Sequence, residues 1–458
     1  MYKMISVEAL KNKVLDLAMH GKLVAQDPQD EPASVLIEKI KEEKAQLIKD
    51  KKIKRTKALP PIEEDEIPYE IPDSWEWVRL GKLLFVKSGK AFKRKNLVKN
   101  GDYPVYGANG IIGYANDYNV KSKKLLLGRV GSVGEINIIE EKAWITDNAL
   151  IVNLFDDELF DYMYKLFEFI DFNKYASGAV QPVISGKRLY NIVIPLPPQQ
   201  EQQRIVDKIE EIFDELDKLD EASQKYDECK ELLNKRVLDL AMHGKLVAQD
   251  SQDEPASVLI EKIKEEKAQL IKDKKIKKTK ALPPIEEDEI PYEIPDSWEW
   301  VRLDDISNII MGQAPKGIDV LEGVPKDGYY EFHQGKSYFG NMYLKKSSKI
   351  TKISNKIIDA KNIVMSVRAP VGDVNLTANP IAIGRGLAGI IPIGCNVDYM
   401  YYFLKTQKKN LMKKSTGTTF KAINANIIKN MMCLVPPIKE QQRIVDKIEE
   451  IFDTLREI

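Results

Sequence analysis

The chain has 458 residues, with 70 Lys and Arg against 70 Asp and Glu, a formal net charge of zero, and 43% hydrophobic residues, enough for two to four domains with sizeable cores. Its 3 cysteines, Cys229, Cys395 and Cys433, lack metal-ligand spacing and are too few for a disulfide framework, which points to a reducing compartment. The start, MYKMISVEALKNKV, has no apolar signal-peptide core and no run of about 18 apolar residues exists to span a bilayer, so a cytoplasmic protein without membrane contact is expected.

Residues 1–24 open with a helix that should run to about His20 and stop at Gly21, a common C-terminal glycine position. Residues 25–74 hold a second amphipathic helix, ASVLIEKIKEEKAQLIKDKK, followed by ALPPIEEDEIPYEIPD, whose prolines and acidic residues predict an extended linker. Residues 75–198 form a first variable domain, entered through SWEWVRL, with short strands YPVYG, GIIGYA, KLLLGRV, INIIE and ALIVNL and a helix around Phe160 to Phe169. Residues 199–247 are a central helix: Ile205, Ile209, Ile212, Leu216, Leu219, Tyr226, Leu233, Val237 and Leu240 fall on the alternating four-three spacing of a coiled-coil seam, interrupted at Ser223 and Lys230.

From there the chain repeats itself. Val237 to Leu303 copies Val14 to Leu80 with only two changes, Pro28 to Ser251 and Arg55 to Lys278, so residues 248–297 are a second helix and linker. Residues 298–437 are a second variable domain, and 438–458 are a last helix in which Gln441 to Asp453 copies Gln202 to Asp214. The central seam needs a partner, and the two chain ends supply one in two pieces: Ile444, Ile448, Ile451, Leu455 and Ile458 from the last helix, Val7, Leu10, Val14 and Leu17 from the first. The expected fold class is therefore α+β: two mixed α/β domains separated by long antiparallel coiled-coil helices, with an internal pseudo-twofold repeat.

The zero average charge hides a segregation. Residues 81–198 carry 16 basic against 12 acidic side chains, residues 304–437 carry 18 against 9, and the repeated scaffold is correspondingly acidic. Within the first domain, residues 81–130 alone hold eleven basic and two acidic side chains. One-sided basic patches suit a polyanion. The two domains also run in parallel order: ASGAVQPVISGKRL lies opposite STGTTFKAINANII, and VGEIN (Val133 to Asn137) opposite VGDVN (Val371 to Asn375).

Two dissimilar domains, each entered through PYEIPDSWEWVRL and left through PLPPQQEQQRIV or LVPPIKEQQRIV into a long helix, resemble the specificity subunit of type I restriction-modification systems. The segments GRVGSVG, FHQGK, SVRAPVG and IGRGL carry the same resemblance, which covers nearly the whole chain. It implies two target-recognition domains that each read one half of a bipartite double-stranded DNA site, held apart by the paired helices. It also implies assembly with two methyltransferase subunits, which use S-adenosylmethionine, and optionally with restriction subunits. No cofactor is expected in this chain itself.

The candidate contacts follow from residue chemistry. Lys90, Lys93, Arg94, Lys95 and Lys99, joined by Lys121, Lys123, Lys124 and Arg129, form a basic cluster suited to phosphates, and Lys345, Lys346, Lys349 and Arg368 do the same in the second domain. Two loops pair a glycine with amide, hydroxyl or basic side chains able to read bases: Gly178, Gln181, Lys187 and Arg188 in one, Gly417 with Thr416, Thr418, Thr419 and Lys421 in the other. His333, Gln334 and Lys336 form a third candidate loop. Gly384 to Gly389 matches GxGxxG, but Pro392 follows too closely for a helix to receive a pyrophosphate, so a turn projecting Arg385 toward DNA is the better reading.

Other classes fare worse. The double prolines lack the Asn/Asp-Pro-Pro-aromatic loop of adenine methyltransferases, there is no Walker phosphate loop, and a nuclease carboxylate pattern at Asp73 and Glu76 would need a lysine where Val78 stands. A tandem coiled-coil scaffold that never touches DNA is the main alternative. His20 and His243, before glycines at helix ends, and the tryptophans Trp75, Trp77, Trp298 and Trp300 are expected to be structural.

Overall fold

The structure, a computed structural model, describes residues 6–55, 57–178, 181–315, 319–326, 328–352, 356–415 and 422–457. The chain divides into two compact units, Met1–Gln224 and Lys225–Ile458.

The first unit begins with α1 (Val7–Met19) and α2 (Ala33–Lys49), then β1 (Glu76–Arg79), α3 (Leu80–Leu83), β2 (Leu84–Ser88), β3 (Tyr103–Gly107) and β4 (Gly110–Ala115). It continues with β5 (Lys124–Gly128), β6 (Ile136–Ile139), β7 (Trp144–Ile145), β8 (Ala149–Leu154), α4 (Phe160–Phe169), α5 (Gly186–Tyr190), β9 (Val193–Leu196) and the first half of the 44-residue α6 (Gln199–Met242). Ser6 caps α1 by accepting from the Ala9 amide, and Gly21 ends it at φ 64, where a side chain would be strained. The order β2-β8-β5-β6 makes an antiparallel sheet; β4-β3-β7 is a second sheet whose β3 and β7 run parallel; β1 and β9 close the domain's base. The apolar run Leu125-Leu126-Leu127 is buried throughout because the larger sheet is covered on both faces. Leu125 and Leu127 join Tyr162, Met163, Leu166 and Phe167 of α4, whereas Leu126 joins Ile139, Ala143 and Ile145.

The second unit carries the rest of α6, then α7 (Ala256–Lys272), β10 (Glu299–Arg302), α8 (Leu303–Ile306), β11 (Ser307–Met311), β12 (Val320–Glu322), β13 (Tyr330–His333) and β14 (Lys349–Thr351). There follow β15 (Ile357–Ile358), β16 (Ile363–Ser366), β17 (Val374–Leu376), β18 (Ile381–Ile383), β19 (Leu387–Pro392), α9 (Val397–Thr406), α10 (Lys408–Lys414), α11 (Ala425–Lys429), β20 (Met432–Val435) and α12 (Ile438–Glu457). Its main sheet, β11-β19-β16-β17, repeats the order of the first; its second sheet grows to five strands, β12-β14-β13-β18-β15, and keeps a parallel pair, β13 with β18.

In the first unit α1 lies antiparallel to the start of α6: Lys11 pairs with Asp217 at 2.6 Å, and farther along the chain Gln26 donates to Glu201 at 2.6 Å. Leu15, Ala18 and Met19 share a core with Ile205, Val206 and Ile209. In the second unit the end of α6, through Val237, Leu238, Ala241 and Met242, packs with Ile444, Val445, Ile448 and Phe452 of α12. The predicted seam is thus buried toward the ends of α6, while Leu219, Tyr226 and Leu233 are 58%, 41% and 50% exposed near its middle.

The proline-rich linker is extended, as expected, but it is also held. Arg79, almost fully buried, donates to the carbonyls of Pro60, Pro61 and Asn191 at 2.6 to 2.8 Å and pairs with Glu66 on a single 3-10 turn, Glu64–Glu66. Above it the neck of the domain closes on a buried carboxylate: Glu201 accepts from Trp75 Nε1 at 2.9 Å and from Gln26, while Arg204 pairs with Asp30 at 2.6 Å. Glu440, Trp298 (3.1 Å), Gln249 and the Arg443–Asp253 pair repeat this in the second unit. Burial raises the Glu201 and Glu440 carboxyls above their ordinary value, against the hydrogen bonds from the indole and amide that favour the ionised form.

Candidate nucleic-acid interface

At one end of each main sheet five loops are tied together by the same backbone hydrogen bonds. In the first unit the amides of Lys90, Gly89, Thr146, Ala149, Arg129 and Ile184 donate to the carbonyls of Ile145, Ala149, Tyr106, Thr146, Asn148 and Arg129. In the second, the amides of Gln313, Gly312, Gly384, Leu387, Val367 and Ile423 donate to those of Ile383, Leu387, His333, Gly384, Gly386 and Val367. Every bond in one set has its counterpart in the other. The isolated bridges Val130 with Val183 and Arg368 with Ala422 also correspond, as the alignment of ASGAVQPVISGKRL with STGTTFKAINANII requires. The sheets therefore present the segments 88–90, 106–110, 129–134, 146–148, 177–178 and 181–184 as one face, and 311–313, 333–336, 367–372, 384–386 and 422–423 as its equivalent.

Several predicted residues stand on these faces. Lys90, Gly178 and Gln181 are exposed there, and Arg129 reaches the Ser88 hydroxyl at 3.2 Å. Gly178, at φ 96, leaves no room for a Cβ beside the Gln181 carbonyl, so the position next to the Ser177–Val183 bridge needs its glycine. Lys93, Arg94, Lys95 and Lys99 continue from Lys90 as an exposed run around a 3-10 turn, Arg94–Asn96. In the second unit Gln334, Arg368 and Arg385 are exposed on the corresponding loops. Thr416, Thr418, Thr419 and Lys421 lie outside the described residues.

Other candidates are placed differently. His333 is fully buried, its Nε2 lies 3.3 Å from Glu331, and burial holds its imidazole below the ordinary value, so a neutral core histidine replaces the expected surface contact. Lys336 is exposed but pairs with Asp373 at 3.0 Å, beside Lys408 at 2.5 Å. Burial alone would raise the Asp373 carboxyl, and these two ammonium groups outweigh it, holding it below its ordinary value. The Arg188 guanidinium donates to the carbonyls of Tyr175 and Ala176 at 3.1 and 3.0 Å, fixing the hairpin's approach, while Lys187 beside it is exposed. Lys121, Lys123 and Lys124 lie at the far end of β5 from Gly128, roughly 13 Å away along the strand, and Lys123 is drawn to Asp161 at 3.5 Å. Lys345 and Lys346 are exposed beyond the turn Lys336–Tyr338.

The glycines of the GxGxxG match have packing reasons. Side chains at Gly384 and Gly386 would collide with the backbone of Gln334, and one at Gly389 would collide with Ile358; a strand follows, not a helix. Sequence reasoning missed Asp147 and Asn148, which occupy the turn equivalent to Arg385 and Gly386. Extending the VGEIN/VGDVN alignment through ALIVNL would have found them. Among the described residues no group of three or more His, Cys, Asp and Glu is placed to hold a metal, and no helix is long and apolar enough to cross a membrane.

The family described as "Type I restriction modification DNA specificity domain" matches residues 72–225 and 295–458. The chain is 28% identical to the type I restriction enzyme EcoAI specificity subunit of Escherichia coli, over 99% of this chain and 90% of that protein. It is 29% identical to the EcoEI specificity subunit of the same organism over 68% of this chain and 63% of the relative. A chain of a solved structure of a type I R-M system shares its fold, with a TM-score of 0.57 at 21% identity, over 85% of this chain and 93% of that one. Two matched segments, each spanning one loop face together with its exit helix, account for most of the molecule: the chain belongs to the family of type I restriction-modification DNA specificity domains.

Proposed function

We propose that this chain selects the DNA sequence for a restriction-modification complex, each unit reading one half of a bipartite, asymmetric double-stranded site. The observation that carries this reading is the pair of loop faces, identical in backbone bonding and different in side chains. A face built to bind one common ligand would repeat its side chains as the necks do; one built to read sequence keeps the frame and varies the tips. The surplus of basic residues confined to the two variable domains supplies the phosphate attraction.

The chain acts without chemistry of its own. The repeated acidic helices offer related surfaces to two methyltransferase subunits, so that one polypeptide serves as a pseudo-twofold scaffold, and S-adenosylmethionine belongs to those partners. Restriction subunits join the same assembly where cleavage accompanies modification. The helices fix the unspecified gap between the half-sites.

Exchange of residues 304–435 for the equivalent segment of another member of the family tests this. Methylation mapping in the native cell should show one half-site replaced and the other intact. Simultaneous change of both halves would defeat the assignment of one unit to one half-site, and failure of the assembled complex to bind duplex even at low salt would favour a scaffold that does not touch DNA.

A further inference from the structure

The turn joining β7 to β8 and the turn joining β18 to β19 are the same turn with opposite charges at the tip. Each has three residues between a strand of the unit's second sheet and one of its main sheet, and each is closed by one bond, from Ala149 N to the Thr146 carbonyl at 3.2 Å or from Leu387 N to the Gly384 carbonyl at 3.0 Å. The middle residues are Asp147 and Arg385. Arg385 is exposed while every other residue from Ile381 to Ile390 is buried, and Asp147 emerges in the same way after buried Ile145 and Thr146. Neither side chain makes an ion pair or a side-chain hydrogen bond among the described residues. Asp147 stays unpaired although Arg129 is bonded to Ser88, whose hydroxyl in turn meets the Asp147 carbonyl oxygen.

A carboxylate at the tip of a face that binds a polyanion is repelled by every phosphate, so its favourable partner is a base amino group, above all cytosine N4 in the major groove. A guanidinium on a rigid turn suits the paired acceptors of guanine, O6 and N7. Gly384 and Gly386 supply that rigidity, because they let the turn sit directly on the Gln334 backbone. We propose that Asp147 and Arg385 are equivalent specificity-determining residues that read a G·C pair from opposite strands, Asp147 taking the cytosine of one half-site and Arg385 the guanine of the other. This rests on the assignment of one unit to each half-site. If both units dock alike, the two half-sites, each aligned on its own contacted strand, carry C and G at the same position.

The test is methylation mapping with the assembled complex. The wild-type complex should require a G·C pair in each half-site. Arg385→Gln should relax one guanine of the half-site read by residues 304–435, raising methylation at sites with another base there by roughly 5- to 150-fold relative to guanine, with the first half-site unchanged. Asp147→Asn should do the same to one cytosine of the other half-site, and Arg385→Lys should keep guanine preferred with a weaker margin. A uniform loss at all sites, with base preferences intact, would assign these residues to phosphates and overturn the proposal; so would undiminished discrimination. If a variant complex fails to methylate, binding to duplexes that differ only at that pair separates lost discrimination from uniform weakening in the same way. A wild-type site that is not bipartite would instead overturn the reading of function on which this rests.

Discussion

In the necks, Trp75 Nε1 lies 2.9 Å from Glu201 and Trp298 Nε1 3.1 Å from Glu440, and His20 stacks on Tyr69 at 3.7 Å as His243 stacks on Tyr292 at 4.0 Å. On the loop faces the backbone bonds match just as well, yet Lys90 faces Gln313, Asp147 faces Arg385 and Asn148 faces Gly386 across the repeat. Repetition of sequence maintains the neck, where buried donors and acceptors must find each other. The face needs chiefly its main-chain frame, and exposed tip side chains such as Lys90, Asp147 and Arg385 can change at little cost to the fold.

Even identical neck sequence is not used identically, and Arg79 offers the strongest way to press the comparison. Its Nε donates to the Pro60 carbonyl at 2.8 Å, whereas Nε of Arg302 has no partner and the longest bond of Arg302 to the linker is 3.4 Å. Arg79→Ala should therefore destabilise the first unit by about 3 kcal/mol through lost bonds to buried carbonyls, and Arg302→Ala the second unit by less, as read from urea unfolding of each variant. Equal losses would mean that the linkers contribute alike.

Glu201 gives the next largest effect. Glu201→Ala strands a buried indole N–H and should cost about 2 kcal/mol, with faster amide exchange at residues 75–78. Glu201→Gln keeps an acceptor and should cost little. Because burial raises the folded carboxyl above the ordinary 4.5, its contribution favours folding below that value and is lost as pH rises through the folded one. Wild-type stability in the first unit should accordingly fall, relative to Glu201→Gln, on going from pH 4.5 to neutrality; a difference that does not vary with pH would show that the carboxyl is not perturbed.

The smallest effect is expected from the lysines at the far end of β5. Lys123→Ala with Lys124→Ala should leave the methylated sequence unchanged and lower duplex affinity less than twofold, against roughly tenfold for Lys90→Ala with Arg129→Ala, measured at one salt concentration. Equal losses would extend the contact surface along the whole strand.

Much of this fold is legible in the sequence because its patterns are local. The glycine after His20, the four-three spacing of α6 and the strand GIIGYA predict elements that the structure reproduces, the last to its residue bounds, Gly110–Ala115. Surface chemistry is less legible, since charge alone does not tell which end of a strand a lysine occupies: Lys124 and Arg129 are near neighbours in sequence and stand at opposite ends of β5. A histidine beside Gln334 and Lys336 reads as polar loop, yet His333 ends β13, where it pairs in parallel with Ile383 of β18 and is fully buried. Asp147 is easily passed over in the sequence because an acidic residue counts against a basic patch; the ungapped alignment sets it opposite Arg385, and the matched turns reveal that it stands at an exposed tip.

Val14 to Leu80 and Val237 to Leu303 begin 223 residues apart, at positions 14 and 237, and share a reading frame. Recombination between their coding stretches, wherever within them the crossover falls, excises one complete variable domain and rejoins the remainder without a frameshift. The product keeps 235 of the 458 residues, and wherever the crossover falls it retains one glutamine, Gln26 or Gln249, in the position that donates to Glu440. The reciprocal product gains a third domain by the same register. The repeat that keeps both necks alike therefore makes domain number a property that the gene can change in a single step.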